Sequence, residues 1–242
     1  MKIVAKTDVG MVRESNQDSY TTGELPNGVA WAVVCDGMGG AARGNVASST
    51  AVKVIAEQIT SSFRPGMSAN SIKNMMVSAI NAANISVYDI SCSNSELYGM
   101  GTTVVCAIVM EHTAYIAHAG DSRAYIVSHG ALTQLTRDHS VVQELVEHGK
   151  ITALEAKRHP NKNIITRAVG VSREILVDFS EQEMKDGDVL LLCTDGLTNF
   201  VESDEMCDLT KDDMFYEFAE RLVDRANKNG GGDNVTVVAV TY

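Results

Sequence analysis

Six stretches of this chain are apolar runs of strand length: Val29–Cys35, Thr103–Met110, Thr113–Ala119, Ala124–Val127, Val189–Cys193 and Val235–Val240. They are rich in valine, isoleucine, leucine and alanine and are bounded by glycine, aspartate or other turn formers, which predicts buried strands. Glu111-His112 between two of them predicts a hairpin. Elsewhere the apolar period changes. Ile72, Met75, Met76, Ala79, Ile80, Ala83 and Val87 recur at helical spacing and form one face of a helix over about Ser68–Ile90. That methionine-bearing stripe reads as core and not as a ligand surface. Further helical patterns cover about Asn45–Ser61, Ser140–His148, Ala153–Arg158 and Asp212–Lys228. Capping-box patterns stand at Thr152-x-x-Glu155 and Thr210-x-x-Asp213, and Pro160 stops the short helix that the first one opens.

The order is a strand, two long helices, several consecutive strands, a short helical insert, then strand, helix, strand. Consecutive strands disfavour an alternating parallel α/β fold and favour an α+β class, with antiparallel sheets covered by helices. With only three prolines, no long linker, no internal repeat and no low-complexity segment, the chain is expected to form one domain over residues 1–242.

Composition narrows the function classes. The net charge of −11 argues against a nucleic-acid or anionic-membrane surface, which would need a basic patch. No apolar run approaches bilayer length, and the opening Met1-Lys-Ile-Val-Ala-Lys-Thr-Asp8 lacks a signal-peptide pattern, so a cytoplasmic protein is expected. The five cysteines show no C-x-x-C spacing. Cys35, Cys106 and Cys193 lie inside apolar runs and read as small core residues, not as disulfides or zinc ligands. The six histidines show no metalloprotease pattern and are expected on the surface or in loops.

The chemistry concentrates in aspartates. Asp18, Asp36, Asp121, Asp195 and Asp233 all sit beside glycines or turn residues at the ends of apolar runs. Asp36-Gly37 and Asp195-Gly196 follow such runs, whereas Asp233 precedes one. If that third strand is antiparallel to the first two, three carboxylates meet at one sheet edge. Clustered carboxylates repel one another unless cations fill the cluster, and oxygen-only donors select hard cations such as Mg2+ or Mn2+. A plain turn accounts for any one of these aspartates alone; their recurrence favours a multi-metal site. Arg13, five residues before Asp18, offers a planar fork for phosphate oxygens. A surface salt bridge explains it equally well.

Competing motifs are present. Gly37-x-Gly39-x-x-Ala42 follows a strand, with Glu57 further on, and fits a loose dinucleotide fingerprint. Against it, Asp36 would set a negative charge beside a pyrophosphate. Asp186-Gly-Asp188 looks like an aspartyl-nucleophile pair but precedes its strand, so a turn is the better reading. No cysteine has an arginine six residues on, so a cysteine-based phosphatase loop is absent.

Taken in order, several blocks span nearly the whole chain. They are Gly10-Met-Val-Arg13-Glu-Ser-Asn16-Gln17-Asp18, Asp36-Gly-Met-Gly-Gly40 with Gly44, Met100-Gly-Thr-Thr103, Gly120-Asp-Ser-Arg123, Asp195-Gly196 and Gly232-Asp-Asn-Val235. The set resembles the metal-dependent protein phosphatase (PPM, type 2C) family, the bacterial stand-alone members above all. The resemblance implies a central antiparallel β-sandwich flanked by helices on both sides, in four layers, with the site at one end and a flap over it near residues 139–171. It implies two tightly bound Mn2+ or Mg2+ ions bridged by Asp36. The Gly37 carbonyl would complete one site, Asp195 and Asp233 the other. Asp18 would support the site through water, Asp121 with Asp195 would hold a weaker third ion, and Arg13 would bind substrate phosphate. Two positions depart from the family pattern: Met38 and Ala41 stand where many members carry a histidine, which leaves the general acid open.

The function so implied is hydrolysis of phosphoserine and phosphothreonine on proteins by a metal-activated water, opposing a bacterial Ser/Thr protein kinase. Phosphorylated proteins are the expected partners, with no nucleic acid or membrane, and a monomer is expected. A catalytically dead phosphoprotein-binding module is the alternative from another class, and the intact Asp36, Asp195 and Asp233 argue against it.

Overall fold

The computed structural model describes residues 1–209 and 214–242. Its strands are β1 (Lys2–Asp8), β2 (Asp18–Leu25), β3 (Val29–Met38), β4 (Gly101–Thr102), β5 (Val104–Met110), β6 (Thr113–Ala119), β7 (Arg123–Ser128), β8 (Ala131–Gln134), β9 (Asp178–Glu183), β10 (Val189–Cys193) and β11 (Val235–Thr241). Its helices are α1 (Ala41–Ser62), α2 (Ala69–Ser93), α3 (Val141–Glu147), α4 (Ala153–Ala156), α5 (Asp195–Thr198), α6 (Ser203–Leu209) and α7 (Phe218–Lys228).

The apolar runs are apolar on both faces because both faces are covered. In β3, Ala30, Ala32 and Val34 point into a core shared with Val105, Ile126, Leu190, Leu192, Val238 and Val240, between the two sheets. The alternate residues Trp31, Val33 and Cys35 pack instead against Ile55, Ile59, Met76 and Ile80 of α1 and α2. On the far side, Leu191, Cys193 and Val237 meet Leu222, Val223 and Ala226 of α7. The period-2 pleat thus splits one run between two cores. The result is the four-layer arrangement, helices, sheet, sheet, helices, that the resemblance implied.

One sheet runs β1-β11-β10-β7-β8 and the other β2-β3-β5-β6-β9, with β4 added beside the end of β3. Every strand pair among the described residues is antiparallel. That rules out the dinucleotide reading, which needs a parallel βαβ unit. Asp186 and Gly187 form a turn closed by Lys185 N–H donating to Asp188 Oδ2 at 2.9 Å, as the turn reading of that motif had it.

Differences from the sequence expectations are local. Strands β1, β2, β4, β8 and β9 and helices α5 and α6 were not expected. β3 runs on through Asp36 and Gly37 to Met38, so Asp36-Gly37 lies inside a strand and not in the turn after it. α1 begins at Ala41, ahead of the expected Asn45, because Gly44 in its first turn masks the helical pattern. The Thr152–Glu155 capping box is present, with both reciprocal hydrogen bonds. The Thr210–Asp213 box and the expected helix start at Asp212 lie outside the described residues.

The segment between β8 and β9 carries α3 and α4 and folds over one end of the sandwich. Its base is tied down by backbone pairs: His139 N–H to the Gly120 carbonyl, Thr166 N–H to the His139 carbonyl, and bridges Ser140–Ile165 and Thr102–Val169. This is the expected flap.

Candidate active site

Antiparallel pairing decides which aspartates meet. Strand β2 runs against β3 with Asp18 directly opposite Asp36. Strand β10 runs against β11, so Asp195 just after the first and Asp233 just before the second reach the same end of their sheet. The expected single sheet edge is corrected here: Asp36 belongs to one sheet, Asp195 and Asp233 to the other, and the carboxylates meet across the open end of the sandwich. Arg13, Asp36, Gly37, Asp121, Asp195 and Asp233 all line one cleft of about 250 Å³ there. No histidine lines it among the described residues.

Close backbone packing shapes the cleft. A side chain on Gly37 would meet the Gly44 carbonyl oxygen at 2.1 Å, and one on Gly196 the Asn234 oxygen at 1.9 Å. Both glycines are therefore required by space. Asp36 is fixed from the backbone: its N–H donates to Thr103 Oγ1 at 2.9 Å, and its carbonyl accepts from Thr103 N–H and Thr102 Oγ1. Asp18 is buried, and its Oδ2 accepts from Thr194 Oγ1 at 2.9 Å and Thr236 Oγ1 at 2.7 Å, joining the two sheets. Asp195 accepts from Asn199 Nδ2.

The charges are under strain. Burial raises the Asp18 carboxyl to about 7, despite the two threonines, with Asp195 and Asp233 adding to the rise. Burial, then Asp18, Asp195, Asp121 and Asp233, pushes Asp36 well above the usual carboxylate range. Asp195 is raised by burial and then by Asp233. Burial, Asp195 and Asp138 lift Asp121 to about 8. Asp18 Oδ1 and Asp195 Oδ1 are buried with no hydrogen-bond partner. Buried acids that oppose one another, with orphaned oxygens, are what divalent cations satisfy. The donor set is oxygen alone, so the residues fit Mn2+ or Mg2+.

Two residues differ from their sequence readings. Arg13 lines the cleft, but its Nη2 is paired with Asp233 Oδ2 at 2.8 Å, the salt-bridge alternative realised inside the site. Arg123, two residues after Asp121, was a candidate salt-bridge partner for it and pairs elsewhere. It makes a bidentate pair with Asp138, at 2.9 Å from Nε and 2.6 Å from Nη2.

Sequence reasoning missed three supporting residues. Asn234 is buried; its Oδ1 accepts from Gln17 N–H, and its Nδ2 donates to the Val9 and Ser15 carbonyls, clasping the loop that carries Arg13. Gln17, with its amide turned to satisfy its neighbours, donates to the Gly37 and Gly40 carbonyls at 3.1 and 3.2 Å. Thr103 joins Asp36 to Ser122 through its hydroxyl. Only the adjacency of Gln17 and Asn234 to the aspartates pointed to them in the sequence.

Two histidines expected at the surface are buried. His118 and His139 stack at 4.7 Å beside Asp178. The trio has metal-ligand spacing, but hydrogen bonds and an ion pair within the protein already engage part of it. His139 Nδ1 accepts from Gly120 N–H, which leaves its proton on Nε2, 3.2 Å from Asp178 but poorly aligned with it. His118 Nε2 faces the Arg137 carbonyl and Asp178 is held by Arg167. Burial lowers the pKa of both histidines, which favours neutral rings at the base of the flap.

Comparison with known proteins decides the family. A family model for protein phosphatase 2C matches residues 12–236. The chain belongs to the protein phosphatase 2C family. It is 37% identical over 242 residues to a putative 2C-type protein phosphatase of Streptococcus pyogenes, covering 99% of this chain and 97% of the relative. A serine/threonine phosphatase of S. agalactiae superposes with a TM-score of 0.93 at 32% identity, covering 100% and 99% of the two chains. The catalytic domain of the serine/threonine phosphatase PstP, solved with two manganese ions, superposes at 0.85 with 33% identity, covering 98% and 96%. Family membership makes the chain a metal-dependent serine/threonine phosphatase acting on phosphoproteins.

Proposed function

We propose that one catalytic domain over residues 1–242 hydrolyses phosphoserine and phosphothreonine at a binuclear Mn2+ or Mg2+ centre. In this reading Asp36, the Gly37 carbonyl, Asp195 and Asp233 would hold the two ions. The observation that carries it is the convergence of Asp36, Asp195 and Asp233 on one cleft, with a buried oxygen of Asp195 left without a partner. Bound divalent cations supply Lewis-acid stabilisation of phosphoryl charge and lower the pKa of the attacking water toward neutrality. Asp18 supports the cluster from β2, where the two threonines fix its orientation. Arg13 holds substrate phosphate. A dianionic phosphate is the stronger partner for a guanidinium and draws Arg13 away from Asp233. The same proposal takes the chain as a monomer that opposes a cytoplasmic Ser/Thr kinase, with neither nucleic acid nor membrane as partner. Phosphate release from phosphoserine and phosphothreonine peptides in the presence of Mn2+ tests it. No release from any peptide would overturn it.

Arg13→Ala is expected to raise KM on phosphopeptides more than it lowers kcat, with metal content unchanged, because the contact is made in ground and transition states alike. An unchanged kcat/KM would leave Arg13 with the salt bridge alone.

Asp121 with Asp195 is assigned a third, weaker ion. Asp121 borders the cleft and, with Arg123 committed to Asp138, makes no ion pair among the described residues. Asp121→Ala is expected to keep two bound metals, lose the third, and lose most phosphopeptide turnover. Metal content by mass spectrometry and kcat on the same variant check this. Three retained ions, or wild-type turnover, would return Asp121 to a turn role.

A further inference from the structure

A second cavity, of about 490 Å³, opens beside the catalytic cleft and shares Asp121, Asn163 and Asp195 with it. It runs beneath the flap. One wall is apolar, formed by Val142 and Val146 of α3 and Leu154 of α4. Leu154 is 66% exposed among the described residues. Side-chain amides of Gln143, Asn163 and Asn199 lie along the same groove.

The charges of the groove can be matched one by one. Arg123 is bound to Asp138, and Lys157 to Glu202. Asp121 and Asp195 belong to the cleft. Two cations remain, Arg158 and Lys162, and neither side chain makes an ion pair or hydrogen bond among the described residues. Arg158 is exposed and Lys162 half-buried. Two uncommitted cations lining the same groove, in a chain of net charge −11, run against its overall sign. Cations placed there favour negative charge in the groove that adjoins the catalytic cleft.

We propose that this groove binds the polypeptide on one side of the phosphorylated residue, and that Arg158 and Lys162 select substrates with acidic residues there. The proposal rests on the phosphatase reading and deepens it. An apolar wall, the Asn163 amide to meet a backbone group and two free cations suit an extended acidic peptide; a small anion would use only the cations. The contacts are partly exposed, so their strength is modest and salt-sensitive.

The test compares kcat/KM with Mn2+ on p-nitrophenyl phosphate, a phosphothreonine peptide with alanine and serine flanks, and the same peptide with acidic residues placed N-terminal or C-terminal. Wild-type protein is expected to prefer one acidic peptide over the neutral one by about five- to tenfold at low salt, and the preference should fade at high salt. The double variant Arg158→Gln/Lys162→Gln, which keeps much of the side-chain length without the charge, should lose that preference. Its turnover of p-nitrophenyl phosphate and the neutral peptide should be unchanged, which also reports that it is folded. Equal rates on acidic and neutral peptides in the wild type would overturn the proposal. So would a preference that survives in the double variant, or an equal fall on every substrate. If the wild type hydrolysed no phosphopeptide at all, the phosphatase reading itself would fail, and this proposal with it.

Discussion

Asp36→Ala is expected to reduce kcat on phosphothreonine peptides by on the order of 10³-fold or more, even at saturating Mn2+. Asp36 lies in β3 opposite Asp18 and feels Asp18, Asp195, Asp121 and Asp233 at once, so no other residue takes its place at the centre. The fold should survive. Asp36 is held through its own backbone by Thr102 and Thr103, and those bonds do not involve the carboxylate. Removing one of several opposed acids also relieves repulsion, so the variant without metal should melt no lower than metal-free wild type. Asp36→Asn, which keeps the shape and deletes the charge, should be similarly inactive. Turnover within tenfold of wild type in either variant would remove Asp36 from the centre.

Metal removal should abolish activity and, separately, expose the cost of the carboxylate cluster. EDTA-treated protein is expected to release no phosphate until Mn2+ or Mg2+ is returned. Its stability should also depend on pH. Folded-state values of about 7 for Asp18 and about 8 for Asp121 stand well above that of an aspartate in the unfolded chain, near 3.9. Between those limits the folded protein holds more protons than the unfolded one. Asp18 and Asp121 therefore make metal-free stability fall as pH rises from about 4 toward 8. Cations compete with protons for the same oxygens, so Mn2+ should raise Tm more at about pH 8 than at about pH 5. Thermal melts with and without Mn2+ at the two pH values check this. A metal-free Tm that rises with pH would contradict the buried, mutually opposed carboxylates described above.

The sequence by itself determined the central strands, the two long helices and the identity of the clustered acids. Strands β3, β5, β6, β7, β10 and β11 are covered on both sides, so burial wrote itself into them as unbroken apolar runs. Of the unexpected strands, β1, β2, β8 and β9 are the outer strands of the two sheets. They read as mixed polar segments such as Asp18-Ser-Tyr-Thr-Thr-Gly-Glu-Leu25, because an outer strand is half solvated and is held in place largely by its neighbour's hydrogen bonds. Recurrence of aspartate beside glycine marked Asp36, Asp195 and Asp233, since oxygen donors at strand ends are a local pattern. Their distribution over two sheets was decided only by tertiary pairing. So were the Asp233 partner of Arg13, the Asp138 partner of Arg123, and the burial of His118 and His139. Each of these depends on residues far apart in the chain, brought together by strand register, and no local period encodes register between strands.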